Sequence, residues 1–397
     1  MEEQGIYMPP KEFTHRVKLA CGLAAALSLV LVSAACGSSS PSSSGGSSGT
    51  ASSAQAKRVA AADKIVAQLS QRPTSTGVTT PITKPIPKNI SYEVIGCGAT
   101  ACDSTNDIIH KAVSALGWKF IEVQSDGSSA GTDNAWEQII RTKPSAVEFG
   151  GTPAAQVQTY INQAAAEGVY VQGSSIPIGG PHVSFLAADA PETGAQGVGM
   201  AAWVVADAAK RGIKNPGVLY ASVPDFPILS SIGTTFTATY NRLCPGCKIL
   251  QEPIGFANIA QAPAVIVSAL RSNPNVQYVV YSAGNLFDAV TPAIKAAGLK
   301  VRIMSGTPST TTYTDLKVGT VAAVIPFAEW ELAYQLVDEA ARHFAGVPIV
   351  PSGPLPQWIM TSNTLANTSQ AGNIDGIFPV VSSVVSDYEA LWKPGLK

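Results

Sequence analysis

Residues 146–177 read AVEFGGTPAAQVQTYINQAAAEGVYVQGSSIP. The first four form a short apolar run, closed by two glycines and Pro153. A helical pattern follows over 154–167 and stops at Gly168. A second apolar run, 169–172, then ends on Gly173. A strand, a helix and another strand in so little chain give two parallel strands joined by a crossover helix. A sheet of that kind is buried on both faces.

The same alternation begins near Asn89 and persists almost to the end of the 397 residues. Strands are predicted at 90–96, 119–124, 146–149, 169–172 and 183–187. A second series is predicted at 217–221, 248–251, 277–281, 301–304 and 321–325. Helical patterns lie between them at 106–116, 154–167, 195–210, 262–271, 288–297 and 331–344. Gly117, Gly168, Gly212, Gly298 and Gly346 stand just past helix ends, where the chain needs a left-handed residue. Ten strands in two sets of five predict an α/β chain of two similar lobes, although the second set is not a sequence repeat of the first.

Apolar residues make up 46% and charged residues 13%, so a large core can form. A net charge of −1, with no cluster of either sign, excludes a nucleic-acid partner, which requires a basic surface.

The first 35 residues have the composition of a targeting segment. Lys11, Arg16 and Lys18 precede an apolar run over 19–32 that is shorter than the roughly 20 residues of a membrane span. Glu2 and Glu3 do not suit such a leader, and a start at Met8 would remove both. Ser33-Ala34-Ala35-Cys36 resembles a bacterial lipoprotein box, in which Cys36 is lipidated and becomes the first mature residue. It departs from the usual pattern at Ser33, and simple cleavage after the small residues is the alternative. Two or more acyl chains anchor firmly where one does not. The Gly/Ser-rich tract behind Cys36 would form a coil reaching roughly 20–25 Å and hold a soluble body clear of a membrane. The expected division is 1–35 leader, 36–56 lipidated cysteine and tether, and 57–88 helix and proline-rich link.

Removal of Cys21 with the leader, and use of Cys36, leave two short-range pairs: Cys97 with Cys102, and Cys244 with Cys247. Disulfides are the expectation in an oxidising compartment. Cys244-Pro-Gly-Cys247 also has redox-motif spacing, but it follows a helical pattern and precedes a strand. A reactive cysteine belongs at a helix N-terminus instead.

Gly96-Cys97-Gly98-Ala99-Thr100-Ala101, with Glu122 some twenty residues on, fits the dinucleotide fingerprint G-x-G-x-x-A. A Cys97–Cys102 bridge would distort the turn, and Asp103 at the helix start would repel phosphates. The three histidines after the leader, His110, His182 and His343, have no acidic or cysteine neighbours at metal-ligand spacing. Glu329 and Glu331 flank Trp330 at a helix start, where the dipole accounts for them without catalysis. No metal and no cofactor is expected.

In parallel sheets ligands gather at the carboxyl ends of the strands. Those ends here are mostly Gly, Ser, Thr and Pro, which suits binding a small molecule rather than acid–base chemistry. The residues expected to contact it are Thr100, Asp103, Ser174, Phe226, Phe256, Ser282, Asn285, Ser305, Phe327 and Trp330. For the aromatics the alternative is a place in the lobe cores.

Over about 90–360 the order and spacing of these segments resemble the type I periplasmic binding proteins, in the cluster containing ribose-binding proteins. The stretch quoted above resembles the third and fourth strands with their helix. ASVPDFPILSSIGTTFTATYNRL (221–243), the segment 251–298 and VRIMSGTPS (301–309) resemble the second lobe. The resemblance implies two Rossmann-like lobes with parallel sheets, 89–188 plus 327–353 and 189–326 plus 354–397. A three-stranded hinge would join them near 188–189, 326–327 and 354–356, and ligand would be trapped by closure. Where sugar-binding members carry Asp-Arg after the fourth strand, this chain has Gly173-Ser174. Ser305 replaces the Asp before Gly-Thr-Pro, Ala283 lies where an Asn is usual, Phe327 replaces a hinge Gln, and Ser230 stands near the usual Arg. Phe256 keeps a family aromatic. Lost charge-assisted bonds, each contributing roughly 1.5–3 kcal/mol, imply a ligand less polar than a simple sugar. The alternative is that these loops are out of register with the family by a few residues.

The resulting expectation is a non-enzymatic, lipid-anchored, monomeric solute-binding protein on the outer face of the membrane. It would deliver its cargo to an ABC permease. A receptor on the same fold, signalling to a membrane kinase, is the first alternative. An exported NAD-type oxidoreductase is the second.

Overall fold

A computed structural model describes residues 48–98, 100–350, 354–365 and 377–397. The expected leader, the expected lipobox with Cys36 and most of the expected tether lie outside the described residues. The first helix, α1 (Ser48–Leu69), begins nine residues before the expected start at Lys57. Ala61, Ile65, Val66 and Leu69 on its face join the apolar cluster around Met200, Tyr220 and Phe236, and a helix anchored so far down propagates back through alanine and serine.

All ten predicted strands form, each with ends within two residues of expectation. They are β1 (Ser91–Ile95), β2 (Lys119–Val123), β3 (Ala146–Gly150), β4 (Tyr170–Ser174), β5 (Phe185–Ala187), β6 (Gly217–Ser222), β7 (Lys248–Pro253), β8 (Val276–Tyr281), β9 (Arg302–Gly306) and β10 (Ala323–Ile325). Every pairing is parallel. The two sheets have the same order, β2-β1-β3-β4-β5 and β7-β6-β8-β9-β10, so the lobes share one topology. Crossover helices cover both faces. In the first lobe these are α2 (Thr100–Ala115), α3 (Ser129–Thr142) and α4 (Gln158–Ala166). In the second they are α5 (Ala190–Lys210), α6 (Pro227–Leu243), α7 (Ala262–Ser272), α8 (Val290–Ala296) and α9 (Thr310–Lys317). No helix among the described residues is long and apolar enough to cross a membrane.

The chain passes between the sheets at 188–189 and again at 326–328, after which α10 (Glu329–Ala345) returns to the first lobe against α2 and β5. A third passage leads to Met360, which pairs antiparallel with Val324 beside the second sheet, and to α11 (Ser362–Leu365) against α9.

The expected lobe boundary is corrected at the C-terminus. The segment 377–397, assigned above to the second lobe, carries α12 (Val384–Trp392), which packs on α10 in the first. Its Trp392 indole N–H donates to Asp338 at 2.8 Å. The proline-rich link lies along it: the Ile82 and Ile86 amides donate to the Leu391 and Gly395 carbonyls at 2.9 and 2.8 Å. Val78, Ile82, Ile86 and Ile90 are all buried, so the link is a strap with an apolar edge rather than a spacer.

Both expected cysteine pairs are bonded, Cys97–Cys102 and Cys244–Cys247. The second lies between the end of α6 and the start of β7, as the sequence pattern required.

Candidate functional site

The carboxyl ends of the two sheets face each other across a cleft of about 920 Å³, its mouth included. Its floor on the first lobe is built by strand ends: Ile95 closing β1 and Cys97 just past it, Glu148 and Gly150 on β3, Ser174 and Ser175 at the end of β4. The second lobe supplies Phe226, Ile228, Leu229 and Ile232 from the start of α6, with Asn285, Leu286 and Thr307 after β8 and β9. Phe327 and Glu329 enter from the hinge.

The two lobes treat their fourth strands alike. Ser175 follows β4 and Thr307 follows β9, both at positive φ (51° and 40°), and both line the cleft. The Ser175 amide donates to the Ala187 carbonyl at 3.1 Å, and the Thr307 amide to the Ile325 carbonyl at 3.0 Å. Left-handed non-glycine residues cost energy, and here they turn the chain sharply away so that both strand ends stay open to the cleft. A further such residue, Ala188 (φ 52°), sits at the first lobe crossing. Its amide donates to the Glu192 carboxylate at 2.7 Å and its carbonyl accepts from the Thr193 hydroxyl at 3.0 Å.

Of the residues expected from sequence, Ser174, Phe226, Asn285 and Phe327 line the cleft. Phe256 stands behind Phe226, ring centroids 5.1 Å apart, and its amide donates to Asp225 at 2.9 Å. Ser282 and Ser305 are buried behind the wall, the Ser305 hydroxyl donating to the Gly306 carbonyl at 3.0 Å. Trp330 belongs to the core, its indole N–H donating to the Ile377 carbonyl at 3.1 Å. Asp103 is exposed on the first turn of α2, which instead turns Cys102, Thr105 and Asn106 to the cleft. Thr100 opens that helix, and its side chain lies outside the described residues.

Two carboxyls were not expected there. Glu148, within a strand whose neighbours are apolar, is 3% exposed, and Glu329 is 5% exposed. Burial pushes Glu148 up to about 7, against the opposing effect of the Ser174 hydroxyl. Burial pushes Glu329 up to about 8, partly offset by the Thr105 hydroxyl, which donates to it at 3.1 Å. For Glu329 desolvation outweighs the helix dipole that the sequence reading invoked. A glutamate inside a run of strand apolars was the available signal for Glu148. The sequence marked Glu329 only as a helix-start acid beside Trp330, and nothing local showed that it would be buried against Thr105, 224 residues away.

The acid of the dinucleotide fingerprint has other work. Glu122, on β2, accepts from the Asn106 amide at 2.9 Å and so sets that side chain against the cleft. Gly98 at φ 73° is pressed on Asp126, where a Cβ would stand 2.3 Å from the carbonyl oxygen. The loop is thus fastened by the Cys97–Cys102 bridge on one side and a backbone contact on the other. Among the described residues no His, Cys, Asp or Glu group could hold a metal ion.

Two hinged parallel-sheet lobes around one shared cleft define the bilobal binding proteins. The model of the periplasmic binding protein domain family matches residues 99–347, well over half of the chain, and the chain belongs to that family, in its type I arrangement. The family is one of extracytoplasmic solute-binding proteins, not of enzymes. No curated protein matches the sequence.

Solved structures share the fold at low identity. One is a 5-methylthioribose transporter solute-binding protein from Thermotoga lettingae, in complex with 5-methylthioribose, at 17% identity. Its TM-score is 0.64, over 79% of this chain and 98% of that one. An ABC sugar transporter subunit from Rhodobacter sphaeroides gives 0.60 at 17% identity, over 69% and 98%. A solute-binding protein from Burkholderia graminis, in complex with D-arabinose, gives 0.61 at 15% identity, over 71% and 98%.

Proposed function

We propose that the chain is the extracytoplasmic solute receptor of an ABC importer. It would be lipidated at Cys36, binding a small sugar-like or less polar organic molecule between its lobes and releasing it unchanged to a permease. The observation that carries this reading is the cleft itself, walled by strand ends from both sheets and crossed by the hinge. Ser174, Phe226, Asn285 and Phe327 are the proposed contacts, with Glu148 and Glu329 added to them. Ile95, Ile228, Leu229, Ile232 and Leu286 make much of the wall apolar, which supports a ligand with an apolar body. The transporter subunits among the structural neighbours support the importer, and the SAAC sequence supports the anchor.

A thermal-shift screen of the purified protein against sugars, aromatic acids and lipophilic metabolites tests the reading. At least one solute is expected to raise the melting temperature by several degrees and to be recovered chemically intact. A silent screen, or a recovered product, overturns it. Mass spectrometry of the membrane-extracted protein tests the anchor, with an acylated Cys36 expected at the mature N-terminus.

A further inference from the structure

Two residues that line the cleft hold a fully buried side-chain oxygen that no hydrogen bond reaches. Glu148 Oε1, on the first lobe, and Asn285 Oδ1, on the second, are buried without a hydrogen-bond partner. Both are acceptors. Among the described lining residues no side-chain donor is buried without a partner, and no Lys, Arg or His lines the cleft. A buried acceptor without a donor is costly, and a buried carboxyl without a cation is costlier. A ligand that brings N–H donors and positive charge would satisfy both oxygens once Glu148 is ionised.

The groups facing the two carboxyls do not supply it. Glu148 has the Ser174 hydroxyl on β4 beside it, and Tyr92 on β1 within electrostatic reach. The Tyr92 hydroxyl is committed, donating to Gln172 at 2.7 Å. Glu329 faces Thr105 on α2 and Tyr313 on α9. Two half-buried phenylalanine rings, Phe226 and Phe327, line the same cleft, and an aromatic face attracts a cation.

We infer that the cleft takes a small organic cation, a protonated amine with an apolar body, whose N–H groups bond Glu148 Oε1 and Asn285 Oδ1. This rests on the solute-receptor reading above and names its ligand class. Binding would then expel the proton that burial keeps on Glu148, so affinity rises with pH through about 7. A neutral ligand accepting a hydrogen bond from the protonated acid would show the opposite slope.

The test is titration calorimetry of the purified protein with matched probes at pH 6 and pH 8. The amines 2-phenylethylamine, cyclohexylamine and benzylamine, all protonated at both pH values, are set against 2-phenylethanol, cyclohexanol and benzyl alcohol. At least one amine is expected to bind ten-fold or more tightly than its hydroxyl counterpart, and roughly ten-fold more tightly at pH 8 than at pH 6. Glu148→Gln is expected to remove both differences while leaving the melting temperature at or above that of the parent. Equal binding of the hydroxyl partner, or affinity that falls as pH rises, overturns the inference and leaves the solute-receptor reading standing. Binding of hydroxyl probes alone does the same. Silence from all six probes overturns the inference, while the wider screen above decides the receptor reading separately.

Discussion

Gly98 shows how the cleft loop is held in place by a single missing side chain. It is left-handed, and a Cβ there would stand 2.3 Å from the Asp126 carbonyl oxygen and 2.4 Å from its carbon, so backbone must move. Gly77 is also left-handed (φ 82°) but has nothing within 4 Å of a built Cβ. Alanine at Gly77 should carry the conformational cost alone, about 1–2 kcal/mol. Alanine at Gly98 should add displacement of the loop that carries Cys97, for a total of roughly 3 kcal/mol or more. Urea denaturation of the two variants separates the terms, and equal losses would refute the close-contact argument. Gly98 could be singled out from sequence only as part of a nucleotide fingerprint. Its actual partner is the turn at Asp126, reached through the pairing of β1 with β2, which no local pattern encodes.

α10 carries a second lesson, because its charged residues are the ones sequence patterning would put in water. Arg342 is 1% exposed, its Nε 2.6 Å from Asp338, and its guanidinium also donates to the Thr80 carbonyl at 2.7 Å. The helix is enclosed by α2 and β5 of the first lobe and by α12, which bury all of its Glu, Asp and Arg side chains and leave His343 exposed. Removing Arg342 alone would leave the Asp338 carboxyl buried with only the Trp392 donor. Arg342→Ala should therefore cost about 3–5 kcal/mol in chemical denaturation. The paired change Arg342→Met with Asp338→Asn should cost much less, because no uncompensated charge remains. If the two variants prove equally unstable, packing rather than charge compensation is what Arg342 provides. Strand positions and most helices were legible because short apolar runs and helix-ending glycines are local signals. The phase of α2 and the burial of α10 were not, since each depends on partners tens to hundreds of residues away. That is why Asp103 and Trp330 were expected in the cleft and Glu148 and Glu329 were not.

Taken together, the buried carboxyls make the whole fold a proton acceptor. Glu148 and Glu331 are pushed up to about 7, and Glu329 and Glu339 to about 8, each chiefly by desolvation, against an ordinary 4.5. Glu93, Glu192, Asp288 and Asp315 shift in the same direction for the same reason. A carboxyl whose folded value lies above its unfolded one takes up a proton on folding, so its ionisation opposes the fold as pH rises through the interval between the two. Stability should accordingly increase as pH falls from about 8 towards about 5, by up to roughly 1.4 kcal/mol per pH unit for each such group. Below the unfolded value both states are protonated and the gain is complete. Exposed His343, whose value is lowered by desolvation, works against this trend below its ordinary range, but it is one group against several. Scanning calorimetry should find a higher melting temperature at pH 5.5 than at pH 8, and Glu148→Gln should flatten the slope by about one group's share. A melting temperature that falls on mild acidification would mean that these carboxyls are ionised in the folded chain. A saturating amine that binds the cleft would hold Glu148 ionised, so the same flattening should appear in the parent protein when the amine is present. That links the stability of the fold to the ligand class inferred for its cleft.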